Sequence, residues 1–382
     1  MQTPDPTTEN SQQTGKTLAS SNAHEEPGNC VIIPAMMNTV CYEQARVFGV
    51  RSIPVPEISD TEILLKGKIY LVVFIPGHEV VGTVAKIGKH VTGFSIGDRC
   101  VADPIVSVRC WELTLYTTDH IYHPTFSAVH VFNVIGEKHT YAILAQSVKN
   151  VYKITTLTDE QAALVEPMSC VLHGIDMLKC TAGVEVLVLG AGPAGLLFCQ
   201  LLKLNGAIKV VLASNKGRKM EVSKQIDAAD EYVEFDRDQP GSQWTDLKER
   251  YPDGFDIVIE ATGSEEVLNK AIYHVRKGGT LLMYSLYTLD CTIKWPALYV
   301  FAMEIQVSSA VVDMRRVLKY LSGQIATVTA QSRCFSRTIA YLESGKIRTE
   351  GIVTDVYTIH QYQEAIDKLK SRDSCKVIVK PS

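Results

Sequence analysis

The sequence predicts an α/β protein in which a doubly wound parallel sheet follows a smaller, strand-rich domain. Three observations carry that prediction. A short apolar run, Val186-Leu187-Val188-Leu189, turns through Gly190-Ala191-Gly192-Pro193-Ala194-Gly195 into a helical pattern. Strand and helix signals then alternate as far as Tyr284. Ahead of them, short strand-like runs at 45–50 and 62–65 are separated by Pro54, Pro56 and Asp60, as at the start of a small β-barrel.

The glycine-rich unit is the most restrictive of the three. Four consecutive apolar residues suit a parallel strand buried on both faces. Leu197, Phe198, Leu201, Leu202 and Leu204 then make the apolar side of a helix, Asn205-Gly206 stops it, and Lys209 to Ala213 reads as a second strand. In such a βαβ unit the first glycine allows the tight turn, the second admits a pyrophosphate to the backbone, and the third lets helix and strand pack closely. The phosphates lie at the helix N-terminus. Gly190, Gly192, Pro193, Ala194 and Gly195 are therefore candidate cofactor-binding residues of a Rossmann domain, because the motif stands between a strand and a helix. The uncharged stretch from Val186 to Leu202 falls short of the ~20 residues of a membrane span and holds three glycines and a proline.

The end of the second strand bears on the choice of cofactor. A carboxylate there would bond the ribose hydroxyls of NAD, whereas this chain has Ser214, followed by Asn215, Lys216, Arg218 and Lys219. A neutral residue beside cations suits the 2′-phosphate of NADP, and NAD stays open. Ser214, Arg218 and Lys219 join the cofactor candidates. So do Thr262 and Gly263, which end a later strand at Asp256 to Glu260, where open α/β sheets bind ligands. Between and beyond these, helices are expected at 216–226 and 265–275, and strands at 231–234 and 280–284.

Composition narrows the function class. With 382 residues, 46% of them hydrophobic, the chain can fill two cores. The balance of 38 basic and 42 acidic residues leaves no basic face for nucleic acid or an anionic membrane. Ten cysteines include no pair at C-x-x-C spacing, which excludes zinc-ribbon and redox motifs. The first thirty residues are polar, without the apolar core of a signal peptide, so a disordered tail over 1–36 and a cytoplasmic location are expected.

Two further motifs suggest a cation site. In Pro76-Gly77-His78-Glu79-Val80-Val81-Gly82 an imidazole and a carboxylate stand side by side. Glu166 precedes Pro167, a residue suited to the first position of a helix, which would put Glu166 at the cap. Each motif alone has a structural explanation.

Together with Gly97-Asp98-Arg99, the glycine loop and Glu260-Ala261-Thr262-Gly263, these motifs stand in the order and spacing of the zinc-dependent medium-chain dehydrogenases. The chain resembles that family over residues 37–65, 76–103, 141–308 and 330–381. A glutamate at position 166 makes it most similar to the polyol branch, the sorbitol and arabinitol dehydrogenases. The resemblance implies a GroES-like β-barrel catalytic domain over 37–165, a Rossmann NAD(P)-binding domain over 166–308, and a C-terminal return to the catalytic domain over 330–382. It implies hydride transfer between a sugar alcohol and NADP or NAD, with His78, Glu79 and Glu166 as the metal-binding and catalytic residues of one zinc site. It also implies a homo-oligomer, a dimer or tetramer.

Three departures qualify that expectation. Residues 66–75 stand where the family has a longer segment with a zinc-binding cysteine and a proton-relaying threonine or serine. Residues 104–140 replace the lobe that holds a structural zinc in many relatives, and keep only Cys110. His120, His123, His130 and His139 lie there at spacings that match no metal pattern. Residues 309–329, with Arg315, Arg316 and Lys319, form an insertion. The zinc site is thus expected to be incomplete, with Cys170, one helical turn after Glu166, as a substitute ligand to consider. The alternatives to a working enzyme are a cofactor-binding pseudoenzyme, a zinc-free reductase and a misspliced gene product.

Overall fold

The apolar runs become the strands of two main sheets in the computed structural model, which describes residues 33–44, 47–55, 57–71, 79–103, 140–144, 150–178, 180–237, 240–288, 290–309 and 332–380. The expectations made for the tail up to residue 32, for 104–139, for 310–331 and for His78 fall outside those residues.

The chain begins with an antiparallel hairpin of β1 (Met36–Gln44) and β2 (Val47–Pro54). β3 (Ile63–Leu71), β4 (Val80–Ile87), β5 (Arg99–Ala102), β6 (Thr140–Leu144) and β7 (Val151–Lys153) then pair antiparallel, with β6 beside β3 and β7 beside β5. Two helices follow, α1 (Asp159–Ala162) and α2 (Val165–Leu178). Thr158 and Gln161 close a capping box on α1, so this short helix is held by its cap.

The second sheet contains β8 (Glu185–Leu189), β9 (Lys209–Asn215), β10 (Glu231–Phe235), β11 (Phe255–Glu260), β12 (Val275–Met283) and β13 (Gln306–Ser309). All are parallel, in the order β10-β9-β8-β11-β12-β13. The order reverses between β8 and β11, which opens a crevice above their carboxyl ends. Between the strands run α3 (Pro193–Leu204), α4 (Arg218–Gln225), α5 (Pro240–Arg250), α6 (Glu265–Ala271) and α7 (Ala297–Ala302). Alternate residues of one strand feed two cores. Val186 and Val188 pack with Leu197, Phe198 and Leu201 of α3, while Leu187 and Leu189 pack with Leu247 and Leu268 on the other face.

The chain then returns to the first sheet through α8 (Ser332–Glu343), β14 (Val353–Thr358), α9 (Tyr362–Lys370) and β15 (Lys376–Lys380). β15 lies antiparallel to β3 and parallel to β14. Val377, Val379, Ile359 and Ala365 complete a core begun by Ile63, Leu65, Val80 and Val84, so the catalytic half needs both ends of the chain.

Several local expectations shift. Helix α2 begins at Val165, so Pro167 lies inside the first turn, where its missing N–H costs nothing, and Glu166 is helical rather than a cap. Gly217, at φ +124°, delays α4 to Arg218. Helix α6 stops at Ala271 and a 3-10 turn over Ile272–His274 replaces its expected last turn. β12 starts at Val275 and passes through Gly278-Gly279, which read as a break in the sequence. Helix α5 was not anticipated, since it is mostly polar and opens on Pro240-Gly241.

His274, at the foot of α6, is 3% exposed, and its Nδ1 meets no hydrogen-bond partner. Burial, with a smaller push from Lys248, lowers its pKa to about 4. The unfolded chain therefore takes up a proton first as the pH falls below about 6.5, and stability is lost between there and about 4, by up to about 3 kcal/mol. Above that window His274 is neutral in both states and contributes no pH dependence. Thermal melts of the native chain and His274→Met across pH 4–7 should show the shallower acid slope in the variant; equal slopes would exclude His274 as the cause.

Candidate active site and cofactor crevice

The glycine loop performs three separate tasks. Gly190 adopts φ +113°, and a Cβ there would stand 2.8 Å from Thr262 Cγ2 and 3.0 Å from the Ala261 carbonyl oxygen. The loops after β8 and β11 thus touch at this point. Gly195 lies so close to β8 that a Cβ would fall 1.8 Å from the Gly190 carbonyl oxygen. Gly192 precedes α3, with no atom within 4 Å of where its Cβ would be. Pro193 occupies the first helical position, and the next amides, of Ala194 and Gly195, have no carbonyl a turn earlier in the helix. This is an open, electropositive helix end.

Ser214 is the last residue but one of β9, half-buried and in register with Glu234. Beyond it Lys216 reaches Asp236 at 3.3 Å. Arg218 turns away toward the C-terminal return, donating to both Asp355 carboxylate oxygens at 3.1 and 3.3 Å and to the Thr354 carbonyl at 2.9 Å. Lys219 is half-buried, and burial pushes its pKa down, with Arg237 and Arg372 adding to that push and Cys375 opposing it. Like positive charge from two arginines that the sequence reading did not single out thus bears on Lys219.

The chemical end of the crevice is built from both halves. Glu79 stands just before β4 and is buried; its carboxylate accepts from the Lys376 ammonium of β15, equally buried. Glu166 lies in the first turn of α2, also buried. Cys170, four residues on, places its Sγ 3.4 Å from Glu166 Oε1 and 3.4 Å from its carbonyl oxygen. Tyr284, just past β12, packs edge-on against Phe198 at 4.7 Å. Its phenol is pushed well up, by burial first and then by Cys170, Glu166 and Glu79. The structure thus gathers Glu79, Glu166, Cys170, Tyr284 and Lys376. Lys376 and Tyr284 were missed by sequence reasoning; the only signal for Lys376 was a lone cation opening the apolar run Val377-Ile378-Val379.

The donor chemistry is compatible with zinc, since carboxylate oxygen and thiolate sulfur are both zinc ligands and His78 adjoins Glu79 in sequence. Among the described residues no three metal-ligating side chains form a cluster. The glycine loop fits a dinucleotide through its open Gly192.

Comparison with known proteins places this geometry. The alcohol dehydrogenase GroES-like domain family matches residues 56–155, and the zinc-binding dehydrogenase family matches residues 193–326. D-arabinitol dehydrogenase 1 of Uromyces fabae is 42% identical over 367 residues, 92% of this chain and 99% of the relative. The chain belongs to the zinc-binding dehydrogenases. Sorbitol dehydrogenase of Bacillus subtilis (strain 168) is 26% identical over 373 residues, 92% of this dehydrogenase and 99% of that one. In fold it is similar to a structure described as a zinc-binding dehydrogenase from Sinorhizobium meliloti 1021 bound to NADP, with TM-score 0.71 and 23% identity over 91% of this chain and 100% of that one. The GroES-like and Rossmann architecture expected from the sequence is the one observed.

The glycines of this dehydrogenase separate folding from binding. Gly195→Ala forces a methyl group into backbone and should lower stability by about 1–3 kcal/mol. Gly192→Ala meets open space in the protein, so its melting temperature should stay within a degree or two of native, while its affinity for NADP falls about tenfold or more. Paired melting curves and NADPH fluorescence titrations check this; equal cofactor affinity in Gly192→Ala would remove Gly192 from the binding surface.

Proposed function

We propose that this zinc-binding dehydrogenase moves a hydride between a five- or six-carbon sugar alcohol, arabinitol, xylitol or sorbitol, and NADP, with NAD as the weaker cofactor. The observation that carries this reading is that Cys170, Glu166 and Glu79 all bear on the buried Tyr284 phenol, in a chain 42% identical to a D-arabinitol dehydrogenase. His78, Glu79 and Glu166 would hold zinc, which when bound supplies Lewis acidity to the alcohol oxygen. Lys376 keeps Glu79 in place with its charge balanced, so of the two carboxylates Glu166 would be the freer to bind the metal directly. With the family's zinc-binding cysteine missing, affinity for the metal is low, and Cys170 is the nearest replacement thiol. Loss of even an outer partner costs about 10–100-fold in metal affinity or activity, so slow turnover accompanies weak zinc binding.

The preference for NADP rests on Ser214, which brings no negative charge to repel a phosphate, and on Lys219, Arg237 and Arg372, which bring positive charge together. Arg218, engaged by Asp355, holds the loop in place. A second reading, a dinucleotide-binding protein without turnover, is favoured by the engagement of Glu79 with Lys376 and by the missing cysteine. No described helix is long and apolar enough to cross a membrane. All seven described cysteines outside the opening hairpin are free thiols, which supports work in the cytosol.

We assign homo-oligomer assembly to the edge of the parallel sheet. β13 ends the strand order, and Leu286, Leu298 and Phe301 nearby are 81%, 76% and 82% exposed. Large apolar side chains gathered beside a sheet edge mark a protein-binding face. Light scattering should find a dimer or tetramer in the native chain and a smaller particle for Phe301→Glu; an unchanged mass would move the interface elsewhere.

The function is tested with purified protein by metal analysis after dialysis, polyol-dependent reduction of NADP, and titration of both cofactors. Weakly held zinc, slow polyol oxidation abolished by His78→Ala, and a shift toward NAD in Ser214→Asp are the expected results. Tight NADP binding without any polyol turnover at saturating zinc would favour the second reading.

A further inference from the structure

Glu260, the last residue of β11, is fully buried among the described residues and has no cation beside it. Four donors converge on its carboxylate instead. Oε1 accepts from the Thr262 amide at 2.7 Å and from the Thr262 hydroxyl. Oε2 accepts from the Tyr287 phenol at 2.5 Å and from the Gly263 amide at 3.3 Å. A carboxylate is the one side chain that can accept from four donors while bringing no hydrogen of its own, and charge-assisted bonds of this kind are the stronger ones. Burial and the Glu260 charge push the Tyr287 phenol up, which keeps it a donor.

These bonds fix two loops at the point where the sheet order reverses. Thr262, gripped through both amide and hydroxyl, carries the Cγ2 that closes against Gly190. Gly263, at φ +72°, packs so that a Cβ would stand 2.9 Å from the Leu286 carbonyl, next to Tyr287. The Glu260 backbone belongs to the same junction: the Ala261 amide donates to the Leu189 carbonyl at 2.9 Å, and the Tyr284 amide to the Glu260 carbonyl at 3.1 Å. One side chain therefore links the turn after β11, the segment after β12 and, through Thr262, the first glycine of the phosphate loop.

We propose that Glu260 is a positioning residue for the dinucleotide: it never touches the cofactor, and it holds Thr262, Gly263 and Tyr287 in the shape that forms one wall of the crevice. This rests on the reading of that crevice as the NADP site. Glu260→Gln replaces one accepting oxygen by an NH2 group that faces two donors, so one loop must move. Tyr287→Phe removes a single donor and leaves the carboxylate and both amides, a milder change that keeps the fold.

The test is NADPH fluorescence titration of the native chain, Glu260→Gln and Tyr287→Phe, beside melting curves and the kinetics of polyol oxidation. The expected result is an NADPH Kd raised about tenfold or more in Glu260→Gln and about threefold in Tyr287→Phe, with KM for NADP rising in step and kcat at saturating cofactor unchanged. A structural role alone would lower the melting temperature and leave Kd within twofold of native in both variants, and that outcome overturns the inference while the functional reading stands. Should Glu260→Gln fail to fold, Tyr287→Phe decides the matter by the same comparison. A native chain that binds neither NADPH nor NADH would overturn the functional reading, and this inference with it.

Discussion

The ion pair between Glu79 and Lys376 is the constraint on which the catalytic half depends. Burying an ammonium and a carboxylate costs several kcal/mol per ion, and their attraction offsets this only when each holds the other in good geometry. Lys376 meets that condition because β15 pairs with β3 and brings the end of the chain beside the start of β4. The return strand is therefore part of the site: without it Glu79 would be an uncompensated buried charge. A hydrophobic pair would fill the same space without the cost, so the charges are better understood as fixing what stands beside the cluster of Glu166, Cys170 and Tyr284 than as a source of stability.

Other contacts tie the C-terminal return to the rest of the chain. Arg218 of α4 is tied to Asp355 and Thr354 of β14. Gln200 of α3 donates to the Arg348 carbonyl at 3.0 Å and accepts from its amide at 2.7 Å. Glu343 of α8 receives the amide and hydroxyl of Thr155 at 2.6 and 2.8 Å. Each bond is modest by itself, since net contributions lie near about 1 kcal/mol. Their common effect is geometric, because all three anchor the C-terminal return.

What was legible in the sequence was local. The glycine loop, its strands and its helix follow from spacing alone, since a turn, a close approach and an open helix end each demand glycine at a set position. The GroES-like and Rossmann halves were legible through motifs that recur at family spacing. Pairings across long separations were not. Lys376 meets Glu79 across 297 residues and Arg218 meets Asp355 across 137, so the sequence could name Arg218 as a phosphate ligand without showing that another carboxylate already holds it. β12 was misjudged at Gly278-Gly279 for a related reason. The pairing of Val275 with Phe255, ahead of a register shift that leads to Thr280 opposite Ile257, is a tertiary effect that carries the strand across the glycines, and local propensity does not.

The same distinction governs where cofactor charge is read. Ser214, Arg218 and Lys219 look equivalent in sequence, as one neutral residue and two cations after a strand. In the fold they separate. Arg218 satisfies Asp355, a half-buried carboxylate that would otherwise repel any phosphate brought near it, and so neutralises the floor of the loop. Lys219 is left among Arg237 and Arg372, where burial and like charge both depress its pKa. A phosphate bound there would oppose the like-charge effect by supplying counter-charge. Under the proposed preference for NADP, the relief of that repulsion would be available to NADP and not to NAD, and the discrimination would then rest on these cations more than on the missing carboxylate at Ser214.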